Sequence, residues 1–306
     1  MDVFNSLESI GRRAPGRTVA TLGTFDGVHV GHQALIRETV AWAAALGADP
    51  VVVTFDRHPR SVLTGGPFPC LTTLPHRLRL FEALGVRDVL VLAFDREMAS
   101  WEAEEFVRRV FGEGLRAAGV LLGFNCRFGK GRRGDAALLA KEGAAYGFAV
   151  RAAPPVEING TLVSSTWIRQ AVQTGDLDAA EAMLGRKYSL FGTVVTGDRR
   201  GRILGFPTAN LDPAGMILVP RGVYATSTTA EGRAWPSVTN IGHRPTFGGE
   251  KPRERVETHL IGFSGDLVGR DIEVVFRRWI RDERAFPSSE ALRTQIARDA
   301  AAAGQS

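Results

Sequence analysis

Between Thr18 and Arg151 short apolar runs alternate with amphipathic stretches at a spacing that few architectures tolerate. Thr18–Leu22, Val51–Phe55, Val89–Leu92 and Gly119–Leu122 have the length of strands, and Gly31–Leu46, Pro75–Leu84, Trp101–Phe111 and Asp135–Tyr146 read as helices. Strands alternating with helices in this way predict a mainly parallel sheet covered on both faces, a doubly wound α/β domain. Ligands of such sheets sit beyond the carboxyl ends of the strands, so the loops after Leu22, Phe55 and Leu122 are where a site is expected.

Further along, Ser165–Gln173 and Asp176–Leu184 read as two short helices, with Gly185 placed to cap the second. The texture then changes to short β-rich runs, Gly192–Thr196, Val223–Thr226 and Asp271–Phe276, separated by Gly and Pro turns. A compact antiparallel barrel is expected there, closed by a helix over Ser288–Ala302 with Ser288 or Ser289 as its N-cap. The boundary is expected near Leu184, giving domains 1–184 and 185–306, as suits a chain of 306 residues. The first part carries 20 basic and 20 acidic side chains and the second 18 and 13, so the net charge of +5 belongs to the barrel half.

Composition excludes several classes. Apolar residues at 44% and charged residues at 23% fit a folded protein and neither a disordered nor a fibrous one. The longest apolar runs are strand-sized, well under the roughly 20 residues of a bilayer span, and the N-terminus lacks the basic and apolar regions of a secretory signal, so no membrane partner and a cytoplasmic location are expected. Cys70 and Cys126 have neither disulfide nor zinc spacing and are expected to be buried as small hydrophobes. Four lysines leave 34 arginines among the 38 basic residues, a bias that suits bidentate phosphate binding but is attributed chiefly to a GC-rich genome. A barrel that binds single-stranded nucleic acid would interleave aromatics with basic residues; here they are scattered, so no nucleic-acid partner is expected.

The densest chemical signal is the string Gly23-Thr24-Phe25-Asp26-Gly27-Val28-His29-Val30-Gly31-His32, between the first strand and the first helix. Glycines let backbone approach a ligand, a helix start offers N–H groups to phosphate, and two histidines three residues apart can donate to phosphoryl oxygens as charge develops. The string resembles the HxGH nucleotidyltransferases, and no GxxxxGK[ST] loop occurs in the chain. On that resemblance Gly23, Phe25, Asp26, His29 and His32 belong to an ATP site, with the histidines catalytic. Val163-Ser164-Ser165-Thr166-Trp167-Ile168-Arg169 resembles the class's second phosphate site, through Ser165, Thr166 and Arg169. The loop Gly123–Asp135, with Asn125 and Arg127, suits a nucleotide or flavin phosphate, and equally a solvated basic loop; Thr54–Pro59, with His58, is a weaker candidate.

In the second half Gly197, Gly201 and Gly205 recur at four-residue spacing before Phe206-Pro207-Thr208-Ala209-Asn210-Leu211, an open loop followed by neutral oxygens suited to Mg²⁺ or phosphate. Asn240–Gly249 is turn-rich. Glu257 alternates with apolar residues in Val256–Leu260; read alone it is expected to be an exposed strand residue, whereas an inward carboxylate near bound nucleotide would suit a general base. Taken in order, GTFDGVHVGHQ, FNCRFG, SSTWIR, GRILGFPTANL, GVYA, NIGHRPTFGG, VETHL and IRDERAFPS resemble the prokaryotic bifunctional riboflavin kinase/FMN adenylyltransferase family, from about Thr18 to Asp299.

That resemblance implies an N-terminal domain making FAD and pyrophosphate from FMN and ATP. It also implies a six-stranded barrel kinase making FMN and ADP from riboflavin and ATP, each half using Mg²⁺. It assigns Asn125 and Arg127 to the flavin, Gly205 and Thr208 to ATP, Thr208 and Asn210 to Mg²⁺, and Glu257 as base on the terminal ribityl hydroxyl. A monomer or weak homo-oligomer is expected. Cys126, Gly262 and Val268 depart from the family pattern, where an aromatic, an Asp and a Tyr are common, without touching residues assigned to phosphate or proton chemistry. The alternatives are a different HxGH enzyme, against which GFPTAN followed by VETH argues, and the nucleic-acid module already disfavoured.

Overall fold

The expected alternation forms a six-stranded parallel sheet in a computed structural model, which describes residues 1–13, 17–197, 201, 204–213, 215–244 and 253–304. Its strands are β1 (Asp2–Phe4), β2 (Thr18–Leu22), β3 (Asp49–Phe55), β4 (Asp88–Leu92), β5 (Ala117–Gly123) and β6 (Ala149–Ala153), in the order β1-β4-β3-β2-β5-β6. Every position of β2 and β4 is buried, as parallel strands covered on both faces require. The sequence pattern missed β1 and β6 because they are edge strands: β1 has three residues, and Ala149, Arg151 and Ala152 of β6 stay exposed. From β2 the chain runs to β3 and β4 on one side and later to β5 and β6 on the other. The order therefore reverses between β2 and β5, and the loops after these two strands flank the crevice.

The helices of this unit begin with α1 (Leu7–Arg13), α2 (Val30–Leu46), α3 (Pro59–Thr64) and α4 (Leu74–Ala83). A short α5 (Arg96–Ser100) precedes the helix expected over Trp101–Phe111, which is instead two pieces, α6 (Ala103–Phe106) and a π-helical continuation over Val107–Gly114. Trp101 is extended, ending α5, and Leu115 N–H bonds Val110 O five residues back. The wider turn brings Phe106, Val107, Val110 and Phe111 together into the core, which a 3.6-residue period would have spread over more of the helix surface. Helix α7 (Ala136–Tyr146) starts where expected, its Asp135 carboxylate accepting from Ala137 and Leu138 N–H at 3.0 Å. A two-stranded ribbon, β7 (Glu157–Ile158) and β8 (Thr161–Leu162), turns through Asn159 and Gly160, both at positive φ.

The chain packs as two compact units, Met1–Cys70 with His76–Ser165, and Leu71–Pro75 with Thr166–Ser306. Helices α8 (Ser165–Thr174) and α9 (Leu177–Leu184), read with the first domain from sequence, thus fall almost wholly in the second unit. Gly175 lies against Pro220, and Lys187 pairs with Glu181 at 2.6 Å.

That unit is a closed antiparallel barrel of β9 (Ser189–Val195), β10 (Ala209–Leu211), β11 (Gly222–Ala230), β12 (Arg233–Arg244), β13 (Arg253–Leu260) and β14 (Asp271–Arg281), in the order β10-β13-β12-β11-β14-β9. Buried inside it are Thr226, Thr228, Ser237, Thr239 and Thr258, whose hydroxyls bond one another at 2.7–3.2 Å, so none is left unsatisfied. Side chains alternate along a strand, so the inward Thr239 and Thr258 put Asn240 and Glu257 on the outer face. Helix α10 (Ser289–Gly304), whose Ser288 hydroxyl accepts from Ala291 N–H at 3.2 Å, covers part of that face, packing Ala300 and Ala303 against Val223, Ala225 and Val238. Among the described residues no helix is long and apolar enough to cross a membrane.

Candidate active sites

In the first unit the turn after β2 is held in an unusual backbone. Phe25, Gly27 and Val28 all have positive φ, at 49°, 84° and 42°. A β-branched residue such as Val28 pays on the order of 1–3 kcal/mol for that region, and the surroundings enforce it. Gly23 N–H bonds Val53 O at 3.1 Å, Val28 N–H bonds Phe25 O at 3.0 Å, and the Gln33 amide donates to Val28 O at 3.0 Å. Arg77 of α4 is the central brace. Its buried guanidinium donates to Thr24 O, to Thr54 Oγ1 at 3.1 Å and to Phe55 O at 3.0 Å, tying the ends of β2 and β3 together. Burial lowers the Arg77 pKa, opposed by the Asp26, Cys70 and Asp56 charges.

The turn delivers both histidines to the start of α2. His29 is its N-cap, and Nδ1 accepts from His32 N–H at 3.3 Å. That bond leaves Nε2 as the ring's donor. The two rings stack with centroids 3.6 Å apart and 16° between planes, while the edge of Phe25 meets His32 at 5.2 Å. A side chain on Gly31 would sit 3.2 Å from the His29 ring, which is the packing reason for glycine between the histidines. Burial, then the neighbouring His29 and Arg77, hold the His32 imidazole well below its ordinary pKa, so at neutral pH it is uncharged. Among the described residues its buried Nδ1 has no hydrogen-bond partner.

The predicted residues divide accordingly. Gly23, Phe25, Asp26, His29 and His32 share one turn, and Ser165 joins them by donating to Asp26 O at 2.9 Å. The ring of Phe25 is wholly buried against His32 and Phe81, so its side chain is core, and its backbone is what it can offer a nucleotide. Thr166 and Arg169 lie on the first turns of α8, in the second unit, with Thr166 exposed. Asn125 and Arg127 are exposed on the loop after β5, Arg127 at 3.6 Å from Asp135. Between them Cys126 turns inward and donates to Leu22 O at 3.6 Å; burial pushes its thiol up to about 11. Cys70 and Cys126 are each half-buried rather than buried, because both sit in loops against the core. His58 caps α3, its Nδ1 accepting from Arg60 N–H at 3.2 Å, and its ring lies 4.2 Å from Phe68.

In the second unit a cavity of about 650 Å³ opens on the outer face of the barrel. Its lining mixes the apolar Leu204, Phe206, Val223, Phe286 and Leu292 with the polar Thr208, Asn240 and Glu257. Register places Asn210, Glu257 and Asn240 side by side on β10, β13 and β12, so their side chains share a face. Glu257, drawn by sequence alone toward the solvent, is partly buried here and pairs with Arg255. Gly197 packs against the Asn210 amide, and Gly205 takes φ +85° on the exposed approach to Thr208. Asp198, Arg199, Arg200, Arg202 and Ile203 of the Gly-rich loop, and Pro245–Gly249 of the turn-rich string, lie outside the described residues. Sequence reasoning missed Arg77, Arg281 and Asp299. Arg281 donates to Asp299 through Nε and Nη2 at 2.8–3.2 Å, fastening α10 beside the cavity.

Among the described residues no group of three His, Cys, Asp or Glu side chains could hold a metal ion alone. The oxygens of Thr208 and Asn210 are hard, neutral donors, which suit a Mg²⁺ that takes one or two protein ligands and fills its shell with water and substrate phosphate.

A helix start built for phosphate at the reversal point of a parallel sheet, joined to a barrel with a carboxylate-bearing cavity, defines a two-domain class in which one chain carries two phosphorus-transfer sites. Comparison with known proteins is specific. Residues 12–167 match the FAD synthetase family model and residues 184–306 the riboflavin kinase family model. The bifunctional riboflavin kinase/FMN adenylyltransferase of Pseudomonas fluorescens is 41% identical over 285 residues, covering 93% of this chain and 91% of that protein. Its Escherichia coli K12 counterpart is 37% identical over 301 residues, covering 98% and 96%. A solved Streptococcus pneumoniae structure, named for a macrolide-efflux protein, superposes with TM-score 0.79 at 30% identity, covering 97% of this chain and 96% of that one. The chain belongs to the bifunctional riboflavin kinase/FMN adenylyltransferase family.

Proposed function

We infer that this chain builds flavin nucleotides in two ATP-dependent steps, phosphorylating riboflavin to FMN and adenylylating FMN to FAD with release of pyrophosphate. The observation that carries the reading is the pair of family matches, one on each half of a chain whose relatives align over nearly their full length. The kinase match begins at residue 184, which supports an adenylyltransferase domain over 1–184 and a kinase domain over 185–306. With both reactions consuming ATP, the cytoplasm is the proposed location.

In the adenylyltransferase, an FMN phosphate oxygen attacks the α-phosphorus of ATP, and the bond to the departing pyrophosphate breaks. Negative charge develops on oxygens facing the start of α2. There the His29 Nε2–H, neutral His32 and backbone around Gly23, Phe25 and Asp26 stabilise it, with Ser165 as a further phosphate ligand; Thr166 and Arg169 are assigned to phosphate on the resemblance of their motif. Asn125 and Arg127 are assigned to the flavin.

In the kinase, the terminal ribityl hydroxyl attacks the γ-phosphorus, its proton passes to Glu257, and ADP leaves. Arg255 fixes the carboxylate, and Gly205 and Thr208 face the nucleotide. Thr208 and Asn210 would hold Mg²⁺, which neutralises phosphate charge when bound. Flavin chromatography tests the reading: the protein mixed with ATP, Mg²⁺ and riboflavin yields FMN and FAD, and with FMN in place of riboflavin yields FAD. No phosphorylated flavin from either mixture would refute it.

A further inference from the structure

Asn240 lines the cavity beside Glu257, its partner in the β12–β13 register, and one of its polar atoms lacks a partner among the described residues. Its amide Nδ2 donates to Glu283 Oε1 at 3.2 Å. A carboxylate only accepts, so this contact fixes which end of the amide is nitrogen and turns Oδ1 the other way. That Oδ1 is buried and, among the described residues, unpartnered. Such an acceptor is costly unless a donor arrives to meet it. Glu283 is held close by the backbone, for a side chain on Gly242 would run into its carboxylate. Two acceptors lining one cavity, beside the proposed base and among apolar side chains such as Val223, Phe206 and Phe286, suit a ligand with a flat apolar part and a run of hydroxyl donors.

We propose that Asn240, oriented by Glu283, binds the hydroxyls of the flavin side chain, and that this contact selects a polyhydroxylated chain and sets it against Glu257. The inference rests on the kinase reading. It makes Asn240 a substrate-binding residue and Glu283 a positioning residue.

The test uses the full chain with riboflavin as substrate and lumiflavin, which has the ring system without the hydroxylated chain, as a competitive inhibitor of the kinase. Asn240→Ala is expected to raise the riboflavin KM by about tenfold to a hundredfold, the range for losing a buried hydrogen bond. The lumiflavin inhibition constant and the ATP KM should stay within about twofold, and FAD formation from FMN should be unchanged. Glu283→Ala, on an exposed loop residue, should raise the riboflavin KM in the same selective way by a smaller factor. It carries the test alone should Asn240→Ala fail to fold. An unchanged riboflavin KM, or equal weakening of riboflavin and lumiflavin, overturns the proposal. A wild-type protein that does not phosphorylate riboflavin would instead refute the kinase reading.

Discussion

Replacing Arg281 with alanine should separate the barrel from its closing helix. The Asp299 carboxylate it serves is 3% exposed, and Arg281 itself 19%, so the pair is shielded from solvent. Arg281 supplies three contacts at 2.8–3.2 Å, and Gln295 Nε2 adds one at 2.8 Å. Removing the guanidinium leaves a buried carboxylate with one neutral donor, a change that costs about 3–5 kcal/mol. For a unit of this size each kcal/mol lowers Tm by roughly 4 °C, so the barrel should melt on the order of 10–20 °C lower. Differential scanning calorimetry reads this directly, and kinase activity should fall because α10 borders the cavity through Leu292. Replacing both residues with apolar ones, Arg281→Met with Asp299→Leu, should recover most of the lost stability, because no unpaired charge remains. A single-variant Tm within about 2 °C of the parent would refute the claim that this pair fastens the helix.

Other perturbations follow from the first unit. His32 is held well below its ordinary pKa by burial, so its contribution to stability is complete above about pH 6.5 and is lost as pH falls through the folded value. Urea unfolding at stepped pH should show that decline, and His32→Asn should flatten it. The Cys126 thiol, pushed up to about 11 from 9.0, should react with iodoacetamide at pH 8 on the order of a hundredfold more slowly in the folded than in the unfolded protein, as mass spectrometry would record. Arg77→Ala removes three bonds at the ends of β2 and β3; FAD formation should drop at least tenfold in a steady-state assay while FMN formation persists.

Much of this architecture is legible in sequence because its signals are local. The buried central strands β2 to β5 announce themselves as apolar runs, and the chain folds them where the pattern puts them. The HxGH string is legible because a helix start needs its cap, its glycine and its histidines within a few residues. What stays hidden depends on distant partners. Edge strands β1 and β6 need little apolar sequence, and the π-helical segment keeps a period that helix reading does not anticipate. Arg77 looks like any helical arginine until β2 and β3 bring Thr24, Thr54 and Phe55 to it. The partial burial of Glu257 is likewise set by strand register and by a helix some thirty residues later, neither of which the VETHL string contains.

Two sites in one chain, each serving its own reaction, can be tested by complementation. His29→Ala and Glu257→Gln are prepared separately and supplied with riboflavin, ATP and Mg²⁺, first alone and then mixed. Removing a positioned base costs roughly 10²–10⁴-fold, so Glu257→Gln should make almost no FMN yet still convert added FMN to FAD. His29→Ala should stop at FMN. The mixture should make FAD from riboflavin, with FMN released by one variant consumed by the other; loss of both activities in either folded variant would contradict the two-site account.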